Sequence, residues 1–418
     1  MTIIWIKHAT QLATLQQEHR GPRTKAAMNE LSIIEDGSVW IEDGIIQAVG
    51  TTDELEERYK ERAHEAEITD ATGHLVTPGL VDPHTHVVYG GSREGEFEKR
   101  LQGVSYMEIM NAGGGIHATT QMTRDASEEE LIEQTTRRLD SFLAHGVTTV
   151  EGKSGYGLDL DNELKQLRVM KYLQSMHAID LVPTFMGAHA VPKEYKGRED
   201  EFVDLIINEM LPKVAEEKLA IFNDVFCEVG VFTPEQSERI LEAGKKLGLT
   251  PKIHADEIEP YGGAELAAKM GAISAEHLLK ASEQGMEDMA KAGTVACLLP
   301  ATALYLREKA AEGRKMIDKG VAVAISTDCN PGSSPTTSMP LVMNLACISM
   351  RLTPAEALTA ATYNAACAIQ MEEKVGSIEV GKQGDLVLWD IENYQKLQYL
   401  FGVNHVEKVW KKGVQVLG

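Results

Sequence analysis

Between residues 80 and 327, short apolar runs alternate with amphipathic helical stretches, and this alternation constrains the chain more than any other feature. Parallel strands need crossover connections of about a dozen residues or more, usually helices, so the pattern predicts a parallel sheet covered by helices. Eight runs fit as strands: 80–86, 147–151, 181–187, 223–228, 251–255, 272–276, 294–299 and 321–327. Eight β/α units over roughly 250 residues are the size of a (β/α)8 barrel. Ser127 with Glu130 and Thr233 with Gln236 fit capping boxes, Pro234 and Pro354 follow threonines at first-turn positions, and Gly146 and Gly248 fit helix stops.

Outside the barrel pattern the chain reads as β structure. Segments 2–7 and 38–49 are strand-like, and Asp43-Gly44 supplies a two-residue hairpin turn. A last helix is expected over 354–369, after which strand-like runs return at 386–389 and 406–410. The expected architecture is therefore α/β, a TIM-like barrel at 77–370 with a small composite β-sandwich built from residues 1–76 and 371–418. At 418 residues, one main core with a minor accessory is the size this allows.

Composition narrows the partners. The 63 acidic against 41 basic residues give a formal charge of −22, which repels nucleic acid and anionic membrane surfaces. Cys227, Cys297, Cys329, Cys347 and Cys367 form no Cys-x-x-Cys pair and lie in apolar segments, as reduced thiols of a cytoplasmic protein do. The run Ile3 to Ile6 lacks a basic flank or cleavage site, and no segment reaches transmembrane length.

His84 and His86 lie two apart at the end of the first expected strand, so both imidazoles share a face. Two such imidazoles can chelate one ion, but alone the pair is weak evidence and two solvated loop histidines are the plainer reading. The reading changes because His189, His254 and His277 also sit at or just past C-terminal strand ends, and Asp328 follows the eighth run. In a barrel of this kind that rim hosts the active site. His8, His19, His64, His74, His117, His145, His177 and His405 are spread elsewhere and read structurally, His145 as a cation favoured at a helix C-terminus. Gly113-Gly114-Gly115 lacks both the G-x-G-x-x-G spacing and the lysine of a phosphate loop, so it reads as a flap beside the site.

The run Thr77-Pro78-Gly79-Leu80-Val81-Asp82-Pro83-His84-Thr85-His86 resembles the first-strand signature of the amidohydrolase superfamily, and residues 376–387 resemble its closing β segment. Residues 151–157, His254-Ala255-Asp256-Glu257 and residues 328–334 are similar to the branch that opens a cyclic amide in histidine degradation. The resemblance covers essentially the whole chain. It implies one divalent metal held by His84, His86, His254 and Asp328, with Arg93, Tyr156, His189 and Glu257 on the substrate, and Asn330, Gly332 and Ser333 on the product. Binuclear members carry a carboxylated lysine on the fourth strand; residues 225–229 here contain none, which implies a single metal. Lys153 is assigned to the loop after the second strand, where an ion pair is as good a reading as a catalytic role. Imidazole and carboxylate accommodate zinc and iron alike, and zinc is favoured on availability.

The implied reaction is hydrolysis of 4-imidazolone-5-propanoate to N-formimidoyl-L-glutamate, by a homodimer in the cytoplasm. Glu257 would orient the water, Asp328 would shuttle its proton, and His277 would polarise the carbonyl or else merely pack. Arg93 offers the planar fork that the propionate needs, its alternative being a surface arginine paired to Glu94 or Glu96. Two other readings stand beside this one: an aminohydrolase acting on a purine- or pyrimidine-like ring, and a non-catalytic assembly protein on the same scaffold. Arg93 and Tyr156 argue against the first, the intact ligand set against the second.

Overall fold

The computed structural model describes residues 2–17, 20–104, 108–109 and 113–418; His19 lies outside them. The chain opens with five strands, β1 (Ile3–Ala13), β2 (Ile33–Glu42), β3 (Ile45–Thr51), β4 (Glu67–Asp70) and β5 (Leu75–Pro78). β1 pairs antiparallel with β2 and parallel with both β4 and β5. It runs further than its apolar start suggests, because a register shift between Ile6 and Ala9, with His8 at φ 57°, lets the strand continue through polar residues.

Eight parallel strands follow: β6 (Leu80–Thr85), β7 (Val147–Lys153), β8 (Asp180–Ala188), β9 (Phe222–Cys227), β10 (Thr250–Ala255), β11 (Ser274–His277), β12 (Val295–Leu298) and β13 (Val323–Ile325). They pair in sequence order from β6 to β13, and each expected run coincides with one of them. The ring is drawn together between its ends by Asp82 of β6, whose carboxylate accepts the Ser326 and Thr327 hydroxyls beyond β13, while the His86 N–H reaches the Cys329 carbonyl at 3.0 Å. Helices cover the outside, and both expected capping boxes form, at Ser127 and at Thr233. The helix expected over 354–369 is two, Pro354–Ala360 and Tyr363–Cys367. Its ladder breaks where the Ala361 carbonyl turns to accept the Val81 N–H at 2.9 Å and Thr362 leaves helical angles.

β14 (Leu386–Trp389), β15 (Val406–Lys411) and β16 (Val414–Leu417) then return to the first sheet, β14 pairing antiparallel with β5. That mixed sheet curls on itself, so Val39, Ile41 and Ile46 share a core with Leu386, Leu388 and Trp410. The expected division between residues 76 and 77 falls inside β5; the chain passes from one sheet to the other at Gly79. Only glycine fits there, because a Cβ would stand 2.2 Å from the Thr148 hydroxyl oxygen. Among the described residues, no helix is long and apolar enough to cross a membrane.

Candidate metal centre

Residues two apart on a strand share a face, and several barrel strands carry charge or imidazole at every second position. β6 supplies Asp82 and His84, with His86 just beyond; β7 supplies Glu151 and Lys153; β9 supplies Asp224; β10 supplies Lys252 and His254; β11 supplies Glu276. All are buried, where most barrels of this type carry branched apolar side chains. Lys153 does not lie in a loop: it ends β7, fully buried, because its ammonium donates to Glu151 Oε1 and Asp224 Oδ2, each at 2.7 Å. The fourth barrel strand, β9, contains no lysine.

The imidazoles are aimed by carboxylates. His84 Nδ1 lies 3.1 Å from Glu276 Oε2, and His254 Nδ1 lies 3.2 Å from Asp224 Oδ1. A ring that donates through Nδ1 keeps a bare lone pair on Nε2. Those Nε2 atoms converge: His84 Nε2 is 3.4 Å from Asp328 Oδ1, His86 Nε2 is 3.8 Å from the same oxygen, and His254 Nε2 is 3.4 Å from His86 Nε2. Among the described residues, His84 Nε2 is buried without a hydrogen-bond partner. Burial holds His84 and His86 well below the usual imidazole range, so neither relieves the crowding by taking a proton. Neutral nitrogens and one carboxylate gathered in this way are the donor set of a divalent cation, and for His84 and His254 the carboxylate partners fix the tautomers such a cation requires. His84, His86 and Asp328 offer ligand atoms within 4.8 Å of one another, as do His84, His254 and His277.

The rim is shaped by backbone that side chains rarely adopt: Asp256, His277 and Asp328 have φ of 50°, 68° and 53°. Such strain persists only where the surroundings over-determine it, and it gathers at functional sites. Asp328 Oδ2 accepts the Thr302 hydroxyl at 2.7 Å, and burial pushes its carboxyl up to about 6. Glu257 is pushed up to about 8, by burial first and the Asp328 charge second, and its Oε1 lies 3.5 Å from His277 Nδ1. A cation seated among these groups draws carboxyl values back down. The Glu257 loop hangs on Glu228, whose carboxylate accepts the backbone N–H groups of Glu257, Ile258 and Glu259 at 3.0, 2.9 and 3.3 Å.

On the opposite side, the His86 ring stacks on His189 at 4.6 Å between centroids, and Tyr156 lies 5.3 Å from His189. Arg93 donates through Nε and Nη2 to Glu96 Oε2 at 2.9 and 2.7 Å, and Glu96 Oε1 also accepts the Gly115 N–H at 2.9 Å, which ties the triple-glycine loop to the arginine. The Arg93 guanidinium tip lies against Gly332, where a Cβ would sit 2.1 Å from Nη1 and push the arginine aside. The Asn330 side chain is engaged within its own turn: it accepts the Gly332 and Ser333 N–H groups and donates to the Asp328 carbonyl and Ser333 Oγ.

Of the residues named from sequence, His84, His86, Tyr156, His189, His254, Glu257, His277 and Asp328 lie together. Arg93 instead lies on Glu96 and against Gly332, and Asn330 and Ser333 bond within their own turn. The reading passed over Asp82, Glu151, Asp224, Glu228, Lys252 and Glu276. A usable signal was present. Each is a charged residue inside an expected strand, at even spacing from another polar residue, and charges are rarely buried unless paired.

The amidohydrolase family pattern matches residues 75–416. An imidazolonepropionase of Brevibacillus brevis is 64% identical over 414 residues, covering 99% of this chain and 98% of the relative. Another, of Geobacillus kaustophilus, is 60% identical over 417 residues, covering 100% and 98%. Among solved structures, an adenosine deaminase from Xanthomonas campestris with bound zinc superimposes with a TM-score of 0.71 at 20% identity, covering 99% of this chain and 92% of that one. Guanine deaminase from E. coli superimposes with a TM-score of 0.75 at 15% identity, covering 100% and 99%. At such identities the two deaminases speak for the fold alone.

Proposed function

This chain belongs to the amidohydrolase family, and within it to the imidazolonepropionases, and from that premise we propose how its own residues divide the work. The reaction is the metal-dependent hydrolytic opening of 4-imidazolone-5-propanoate to N-formimidoyl-L-glutamate in histidine degradation. His84, His86, His254 and Asp328 would hold one divalent ion, with zinc favoured over iron. The observation that carries this is the convergence of His84 Nε2 and His86 Nε2 on Asp328, with His254 Nε2 3.4 Å from His86 Nε2 and with Glu276 and Asp224 behind His84 and His254.

When bound, the ion supplies a Lewis acid and a water acidic enough to attack at neutral pH. The protein does the rest. Glu257, held at the rim by Glu228, orients the attacking water. Asp328 takes the water proton and returns it to the departing ring nitrogen, which otherwise leaves as a poor anion. His277 donates to the carbonyl oxygen as negative charge grows there. Arg93 meets the propionate through the Nη1 edge that Glu96 leaves facing Gly332. Tyr156 and His189 wall the ring, while Asn330, Gly332 and Ser333 shape the turn against which the product rests.

We place the enzyme in the cytoplasm as a homodimer acting on a small anion; a native mass twice that of the chain is the check on the dimer. The activity test is loss of the ring's ultraviolet absorbance on adding 4-imidazolone-5-propanoate, with no ammonia released. Ammonia from a purine or pyrimidine, with the imidazolone untouched, would move the chain to the aminohydrolases. Elemental analysis should return one ion per chain at full activity, and His84→Ala should lose ion and turnover together while still unfolding cooperatively. Near-normal turnover in that variant would falsify the ligand set.

A further inference from the structure

The two lysines inside the barrel are absorbed by none of these roles. Lys252 Nζ rests on the Pro83 and Ala368 carbonyls at 3.2 and 3.3 Å and stands 3.5 Å from Glu276 Oε1. Lys153 is held more closely, on Glu151 Oε1 and Asp224 Oδ2 at 2.7 Å. Glu151 is itself fixed by the Thr85 N–H and the Thr184 hydroxyl.

The carboxylates behind the metal ligands differ in what holds them. Glu276 presents Oε2 to His84, and its Oε1 is secured by the Ser274 hydroxyl at 2.6 Å as well as by Lys252. Asp224 presents Oδ1 to His254, and its Oδ2 has Lys153 as partner, with no hydroxyl or backbone N–H on that oxygen among the described residues. An ammonium can only donate, so a carboxylate oxygen bound to it is held as an acceptor. A carboxylate so held accepts from His254 Nδ1, which leaves Nε2 bare.

We propose that Lys153 is a positioning residue for the metal site: by anchoring Asp224 it fixes the His254 tautomer and turns the His254 Nε2 lone pair toward the ion. The inference rests on the ligand set proposed above. Without the ammonium, the buried Asp224 carboxylate is free to turn, and His254 loses the partner that sets its ring. Lys252 has no such part, because the Ser274 hydroxyl already holds Glu276.

Cobalt(II) binding to metal-free protein tests this, with affinity read by competition against a chromophoric chelator and the ligand field read from the visible spectrum. Lys153→Met should weaken cobalt binding roughly 10–100-fold, the range for groups that orient metal ligands, and change the spectrum. Lys153→Gln, which keeps a donor without the charge, should recover most of the loss, and Lys252→Met should stay within about threefold of wild type. A wild-type spectrum and affinity in Lys153→Met, or an equal loss in Lys252→Met, overturns the proposal. If Lys153→Met does not fold, the double variant with Asp224→Asn removes both buried charges and keeps the measurement open. It should bind cobalt no more weakly than Asp224→Asn alone, since residues acting through one another are not additive; a further tenfold loss means Lys153 acts by another route. Wild-type protein that takes up no cobalt removes the metal centre itself, whereas binding that ignores Lys153 removes only this role.

Discussion

Arg93 meets Glu96 in this structure, which was the plainer of its two readings, yet the pairing does not exhaust it. Glu96 takes the Nε and Nη2 edge and leaves Nη1 against Gly332. Arg93→Ala should cost roughly 2–5 kcal/mol of binding to the acid substrate, much of it from leaving a carboxylate desolvated and unpaired, with metal content unchanged. Arg93→Lys should recover part, since an ammonium supplies charge but not the fork. Steady-state kinetics on the acid and on an analogue with an uncharged tail read both effects; an alanine variant that still prefers the acid as strongly as wild type moves the carboxylate seat elsewhere. Single residues were legible where a motif spelled them, as with His84 and His86. Asp224 and Glu276 could be noticed as charges inside expected strands, but their part could not be read, because such a carboxylate carries no label for the histidine it serves across the barrel.

Elements follow local rules, and those were the most legible part of the sequence. The helix Pro234–Lys246 starts where Thr233 and Gln236 bond each other's backbone, at 3.0 and 3.2 Å. Thr233→Ala should lower stability by about 1 kcal/mol, seen as a smaller denaturant midpoint at unchanged slope and unchanged turnover. A variant as stable as wild type would mean that tertiary packing, not the cap, starts this helix. The barrel strands were legible because burial on both faces writes short, largely apolar runs between helical stretches, even where charge or imidazole interrupts them. β4 and β5 were not, since each has four residues and owes its place to partners far away in the chain, and β16 was not because its four residues add only a short edge to the neighbouring β15. The split of the 354–369 helix was hidden for the same reason: the N–H that breaks it belongs to Val81.

At the scale of the molecule, the barrel and the smaller sheet are joined by charge as well as by chain. Asp180 at the start of β8 accepts from Lys411 and Lys412, each at 2.7 Å, and Lys411 also pairs with Asp385. Burial alone would raise the Asp180 carboxyl, but Lys411 and then Lys412 outweigh it and hold the group below its usual range. The native value thus lies under the unfolded one, so the stabilisation is fully present above about pH 4 and is lost as pH falls through the native value. Asp180→Asn should therefore cost about 1–3 kcal/mol near neutrality. The gap to wild type should close progressively below pH 4; a gap independent of pH would assign the loss to packing. β5 sits between β1 and β14, one partner at each edge. During synthesis its first partner is made before it, while the second emerges roughly 300 residues later, on the order of 15–60 s at ribosomal speed. Throughout that interval the nascent chain carries an open strand edge while the barrel is still being made, which makes early chaperone capture, more than mature stability, the step on which its yield in the cell should depend.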